Sequence, residues 1–239
     1  MVDDTSNFPA NKIPLIDAMI HLSKLLDLDT CQLIVGRLQP HVIGGAASDW
    51  DNSMTGQLSP FKFETDSPAD VSGYALYCQA TIAGDHPDGI FVASVVSGVE
   101  TSLLVSDVRI RRAGVAAAGK LPILPKSVLN QLISSTRDPD SPTATYACMA
   151  LSDRTDLVLD DSQWEFLVTG IRSSLAQPNA LLRRAAALCI RHLERAALST
   201  KQSAVVGELK RIVQSDIHFF VRQALAVDGS GGAKVHLAG

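Results

Sequence analysis

Residues 178–198 read PNALLRRAAALCIRHLERAAL. On a helical wheel started at Leu182, the side chains of Leu182, Ala185, Ala186, Cys189, Ile190, Leu193 and Ala196 gather in one arc. Arg183, Arg184, Arg191, Glu194 and Arg195 gather in another. A helix with one apolar and one charged face buries the first against its neighbours and leaves the second in water. Pro178 suits the preceding turn, because its ring fixes φ and it has no N–H to donate. Asn179 can cap the free amides of the first helical turn. The small residues at 185, 186 and 187 allow another helix to approach closely.

The pattern recurs up and down the chain. IRRAGVAAAG begins at Ile110 and VRQALAV at Val221; a degraded copy, TATYACMALS, begins at Thr143, and a fainter one, VSGYALYCQA, at Val71. The anchors 71, 110, 143, 182 and 221 are spaced 39, 33, 39 and 39 residues apart, and Pro139 and Pro178 each stand four residues before an anchor. A period in this range marks stacked supersecondary units, none of which can bury its apolar face alone.

The turn, the Val/Ile/Leu-Arg-x-Ala opening and the Ala-rich second helix resemble the HEAT and armadillo-like helical repeats, over residues 67–228. The resemblance implies an all-α solenoid of stacked antiparallel helix pairs. An ordinary helical bundle with Ala/Arg-rich helices is the alternative. Residues 1–66 then form an N-terminal capping region with an irregular loop, and residues 229–239 a flexible tail.

Between the anchors, helices are expected over 14–26, 30–38, 68–82, 90–104, 108–119, 126–136, 143–151, 161–175, 182–198, 201–213 and 219–227. Ser67-Pro68, Asp107 and Ser141-Pro142 read as helix starts, and Ser162 with Glu165 as a capping box. The β-branched run Val92, Val95, Val96 and Val99 also suits a strand, and its place within the period decides for helix. Residues 40–66 break the pattern with Gly, Ser, Asp, Trp50, Phe61 and Phe63. This stretch is a functional loop, a short hairpin or a degraded repeat, with Trp50 either anchoring a partner or tucking the loop onto the first helices.

Charge is unevenly shared. The net formal charge is −4, but residues 1–107 hold 4 basic and 14 acidic side chains, whereas 108–239 hold 17 and 11. Such asymmetry steers an acidic partner toward the C-terminal part, unless it only reflects differently solvated faces. Aromatics make up 5% of the chain, which suits closely packed helices better than a β-sandwich. No apolar run approaches the ~20 residues needed to span a bilayer. The acidic start MVDDTSNFPANK is unlike an export signal, and the dispersed Cys31, Cys78, Cys148 and Cys189 fit a reducing, cytoplasmic setting.

Motifs for chemistry are missing: there is no CxxC, phosphate-binding Gly loop, GxSxG or HExxH. No cofactor, metal or catalytic residue is therefore expected. His86 stands beside Asp85 and Asp88, a set that reads first as turn chemistry and second as a metal cluster. His192 borders the core of the anchor helix and reads as a packing side chain before a general base.

The arginines carry the functional reading. By the repeat register, Arg111, Arg183 and Arg222 are equivalent, and Arg112 and Arg184 form a second, partial column with Gln223 beside it. Since second helices line the concave face of HEAT-like proteins, the resemblance implies a basic inner stripe extended by Arg191 and Arg195. Guanidinium forks suit carboxylate and phosphate recognition. The alternative is structural, each second-helix arginine pairing with Asp107, Asp138 or Asp216 in a turn. The chain is accordingly expected to be a non-enzymatic module, an adaptor, scaffold or inhibitor-like protein, holding an acidic protein partner against Arg111, Arg112, Arg183, Arg184, Arg191, Arg195 and Arg222. A nucleic-acid-binding protein resembling the HEAT-like DNA glycosylases is the second reading. A cofactor-modifying lyase or a metal-dependent hydroxylase on helical repeats is a weaker third, since the paired His-Glu motifs of the hydroxylase are missing.

Overall fold

A computed structural model describes residues 12–39, 42, 68–154, 157–194 and 198–226. The readings made for the 40–66 loop (save Val42), Ser67, Arg195 and the tail lie outside those residues. Among the described residues every regular element is helical. The helices are α1 (Lys12–Leu22, continued by a 3₁₀ turn at Ser23–Leu25), α2 (Leu28–Leu38), α3 (Pro68–Asp85), α4 (Val92–Leu103), α5 (Val108–Ala118), α6 (Lys126–Ser135), α7 (Ser141–Ser152), α8 (Asp161–Leu175), α9 (Ala180–Glu194), α10 (Thr200–Gln214) and α11 (Phe219–Gln223).

Two parallel rows result. The helices that carry the anchors, α3, α5, α7, α9 and α11, stack on one another in chain order. Their partners α4, α6, α8 and α10 form the second row, and α1 and α2 pack on α3 at the other end. Neighbours touch far more extensively in the anchor row than in the partner row. A stack held more closely on one side bends toward that side, so the anchor row is the inner layer.

Small side chains make that closeness possible. Every residue from Ala113 to Ala118 of α5 is buried, and the largest of them is Val115. At Gly114 an added Cβ would fall on the Ser102 hydroxyl, and at Gly84 on the backbone carbonyl of Lys120. The arc from Leu182 to Leu193 is buried in α9, as its spacing requires.

Caps fix where helices begin. The Asn179 carboxamide accepts from the amides of Leu181 (2.9 Å) and Leu182 (3.4 Å). Asp107 caps α5. Two starts differ from the expectation. Asp160, not Ser162, caps α8, and its box partner is Gln163 rather than Glu165. Asp140, not Ser141, caps α7. In both cases a carboxylate one or two residues upstream outcompetes the serine, because an ionised acceptor near a helix N-terminus also gains from the dipole. The amide of Gln163, above all, brings the Asp160 pKa to about 2.

The N-terminal helices are joined to the stack by specific bonds. Ser23 donates to Asp85 at 2.6 Å, and His86 Nε2 lies 3.0 Å from the Ser23 carbonyl, which makes Nε2 the protonated nitrogen. Gln79, buried in α3, donates to the Val35 carbonyl at 2.9 Å. His86 and Asp85 are thus fastened to the end of α1, and no group of three metal-ligating side chains occurs among the described residues.

All four cysteines are buried and unbridged. The Cys148 side chain and then burial raise the Cys189 pKa well above the ordinary range, and the Cys189 thiol donates to the Cys148 carbonyl at 2.8 Å. Ellman's reagent is expected to find none of the four in the folded protein and all four after denaturation. Fast native labelling of Cys189 would contradict this packing.

Candidate functional site

The arginines divide into three kinds of environment. Arg111 and Arg183 share one geometry. From Arg111, Nη1 donates to the carbonyls of Val105 (3.2 Å) and Ser106 (3.1 Å), and Nε meets Asp138 at 2.9 Å. From Arg183, Nη1 donates to the carbonyls of Gln177 (2.9 Å) and Pro178 (2.8 Å), while Nε and Nη2 meet Asp216 at 2.6 and 3.2 Å. Each guanidinium ties its own turn to the turn of the following repeat. Arg222 again bonds the carbonyl six residues before it, that of Asp216. The register that made these three equivalent thus appears as equivalent hydrogen bonds, and their donors are committed within the stack.

Arg112 holds a middle position. Its Nε and Nη2 reach Asp140 at 3.3 and 3.1 Å, and about a fifth of each side chain is exposed, 22% and 20%. Burial opposes the charge on Asp140, but bonds from Thr143 and Arg112 outweigh it and lower its pKa. Arg191 donates to the Ala224 carbonyl at 3.2 Å, joining α9 to α11. Asp107 pairs within its own turn with Arg109 at 3.1 Å rather than with a column arginine.

Arg184 is exposed, and no ion pair engages it among the described residues. It stands two positions after its anchor, as do Arg112, Thr145 and Gln223. Four positions further on lie Tyr77, Ala116, Met149 and Leu188. These two columns run along the outward side of the inner row. Met149 is 41% exposed, Tyr77 and Leu188 are half-buried, and Ala116 is a shallow floor between them. Lys120 holds its ammonium 5.9 Å from the Tyr77 ring centroid, within cation–π range. Burial raises the Tyr146 pKa, and both Arg112 and Tyr77 act on it. The surface is an apolar strip beside a column in which Arg112 and Arg184 alternate with Thr145 and Gln223.

The apolar strip was legible at the sixth position after each anchor, but sequence reasoning followed only the arginines. It also missed Arg154. This buried side chain donates to the carbonyls of Leu121 (2.5 Å) and Pro122 (3.3 Å), and so fixes the α5–α6 connector.

Outside the columns, clefts lie between neighbouring partner-row helices. One of about 480 Å³ is bounded by Trp164, Val168, Arg172, Lys201 and Val205 of α8 and α10. Trp164 is buried.

No family model matches the chain, and no curated protein matches its sequence. Its fold does match solved structures. An engineered protein solved by a structural genomics consortium aligns with a TM-score of 0.58 at 14% identity, covering 93% of this chain and 90% of that one. A designed armadillo repeat protein, solved in complex with the peptide (KR)4, aligns with a TM-score of 0.56 at 12% identity over 88% of each chain. The fold is an armadillo/HEAT-like α-solenoid. A second engineered protein aligns with a TM-score of 0.58 over 93% and 92% of the two chains. Among the described residues, no helix of this solenoid is long and apolar enough to cross a membrane.

Proposed function

We propose that the chain is a non-catalytic binding module whose inner face takes an extended, acidic segment of a protein partner. The observation that carries this reading is the pair of parallel columns on that face. Arg184 and Arg112 lie on one side, and Tyr77, Met149 and Leu188 on the other. An extended segment places alternate side chains on opposite sides, so acidic residues would meet the arginines while apolar ones met the strip. The designed armadillo protein was solved with the basic peptide (KR)4; the arginines of this chain favour a ligand of the opposite charge.

Because Arg111 and Arg183 are committed to the stack, they position the face rather than contact the ligand. Arg112 and Arg184 supply the charge, and Arg191 contributes near the C-terminal end.

A random peptide display selection against the full chain tests the reading. Enrichment of Asp and Glu alternating with apolar residues is expected. Arg184→Glu with Met149→Glu is expected to weaken a selected peptide at least tenfold, which is about 1.4 kcal/mol, without lowering the melting temperature. Selection of basic peptides, or indifference to both substitutions, would overturn it. Capture from host lysate with and without nuclease adds a control. Nucleic acid bound with a steep salt dependence would instead place phosphates on the arginines.

A further inference from the structure

From α5 to α11 the arginine-to-turn bonds repeat along the inner edge, with one interruption. Arg111 fills the slot at α5 and Arg183 fills it at α9. At α7, between them, the equivalent position is Ala144. The acid that would face it is also missing, since Gln177 stands where the other turns carry Asp138 and Asp216. Arginine and aspartate are thus both absent from this one slot.

Their place is open. A cleft of about 140 Å³ lies there, bounded by Thr136–Pro139, Ser141, Ala144, Ser173, Ser174, Gln177 and Leu182. That is well above the ~10–15 Å³ needed to admit one water. Its position in the turn matches that of the guanidinium groups on either side. The carbonyls of Asp138 and Pro139 correspond to those that Arg111 and Arg183 engage in their own turns, and here no arginine among the described residues donates to them. Gln177 adds a carboxamide oxygen at the exposed mouth. The wall opposite is rigid: Ser174 donates to the Thr136 carbonyl at 2.9 Å, and Asn179 to the Ser141 hydroxyl at 2.7 Å. Asp138 keeps the surroundings electronegative, though its carboxylate already bonds Arg111 and the Asp140 amide. Arg137 lines the rim, with its guanidinium turned toward the Phe166 ring at 5.5 Å.

We infer that this slot receives the guanidinium of an arginine from a partner. The ligand would complete the interrupted series by donating to the Asp138 and Pro139 carbonyls and to Gln177. A planar fork suits the slot, because at the neighbouring positions Nη1 serves the two turn carbonyls while Nε serves a separate acceptor in the next turn; an ammonium is a point charge and serves them poorly. The slot lies at the turn edge rather than on the inner columns, so this inference stands apart from the proposed acidic ligand.

The test is an amide-resolved NMR titration of the full chain with N-acetyl-arginine methylamide and, separately, its lysine counterpart. A saturable shift confined to residues 136–144 and 173–177 is expected with the arginine compound alone. Ala144→Arg fills the slot from within the chain and should abolish the shift while keeping the fold. Gln177→Leu, at an exposed position, should weaken binding several-fold if Ala144→Arg does not fold. Equal response to the lysine compound, shifts scattered over surface carboxylates, or binding that survives Ala144→Arg in a folded protein would each overturn the inference.

Discussion

Arg183→Ala is expected to destabilise the C-terminal repeat by about 3 kcal/mol, the lower end of what removing one partner of a buried ion pair costs. Both side chains are nearly covered, 10% exposed for Arg183 and 9% for Asp216. The guanidinium makes four bonds, two to Asp216 and two to the carbonyls of Gln177 and Pro178. Removing it leaves a carboxylate and two carbonyls short of donors, and an unmet buried acceptor costs more than its bond contributed. The lower end is chosen because Asp216 lies in the last turn, where water can reach it once the arginine is gone. Hydrogen exchange should localise the loss to 200–226, with little change in 68–135. Arg183→Lys should recover only part, since an ammonium cannot span the carboxylate and the turn carbonyls together.

The same pair sets a pH dependence. The Arg183 bond, above all, lowers the pKa of Asp216 in the folded state. A carboxylate with a depressed folded pKa contributes stability above its unfolded value of about 3.9 and loses it as the pH falls through the folded value. Asp107, Asp140 and Asp160 are lowered as well. Wild-type stability should therefore fall below pH ~4. Asp216→Asn should start less stable at neutral pH and lose less on acidification. A parallel decline of the two proteins would refute the assignment.

The helices and their period were legible because a solenoid writes its packing into every repeat. Leu182, Cys189 and Ile190 must share a face, and the repeat register alone places Arg111, Arg183 and Arg222 in one environment. The choice between recognition and internal pairing was not legible. Both use the same residue types, and only the position of Asp138 and Asp216 in the next turn decides for pairing. Asp107 was an equally good candidate by sequence and turned back to Arg109. The caps failed for a related reason. Ser141 and Ser162 stood in acceptable places, and competition from Asp140 and Asp160 depends on a shift of one or two residues. The slot at Ala144 was visible only as a missing arginine. That the space stays open instead of collapsing is a property of the surrounding turns.

Those turns explain why Gly170→Val is expected to be among the most damaging single changes in the chain. Glycine within a helix usually costs about 1 kcal/mol relative to alanine, so adding a side chain would ordinarily stabilise α8. Here an added Cβ would fall on the Thr136 hydroxyl and within 2.9 Å of the Thr136 Cβ. Thr136 cannot withdraw easily. It is 1% exposed, its hydroxyl donates to the Ile133 carbonyl at 2.7 Å, and its carbonyl accepts from Ser174. Overpacking of this kind costs about 1–3 kcal/mol for one added group, and a β-branched residue adds two more methyls. Gly170→Ala should therefore destabilise by about 1–3 kcal/mol, and Gly170→Val by more. Gly36 in α2 and Gly207 in α10 have nothing within 4 Å of an added Cβ, and the alanine change there should stabilise or be neutral. Thermal denaturation of the three alanine variants reads the difference in sign directly, and Thr136→Gly should rescue Gly170→Ala. If all three behave alike, α6 and α8 are not in the contact described. Because Thr136 also bounds the open slot, the same overpacking should loosen the turn at 136–139, so Gly170→Ala should lose arginine binding along with stability.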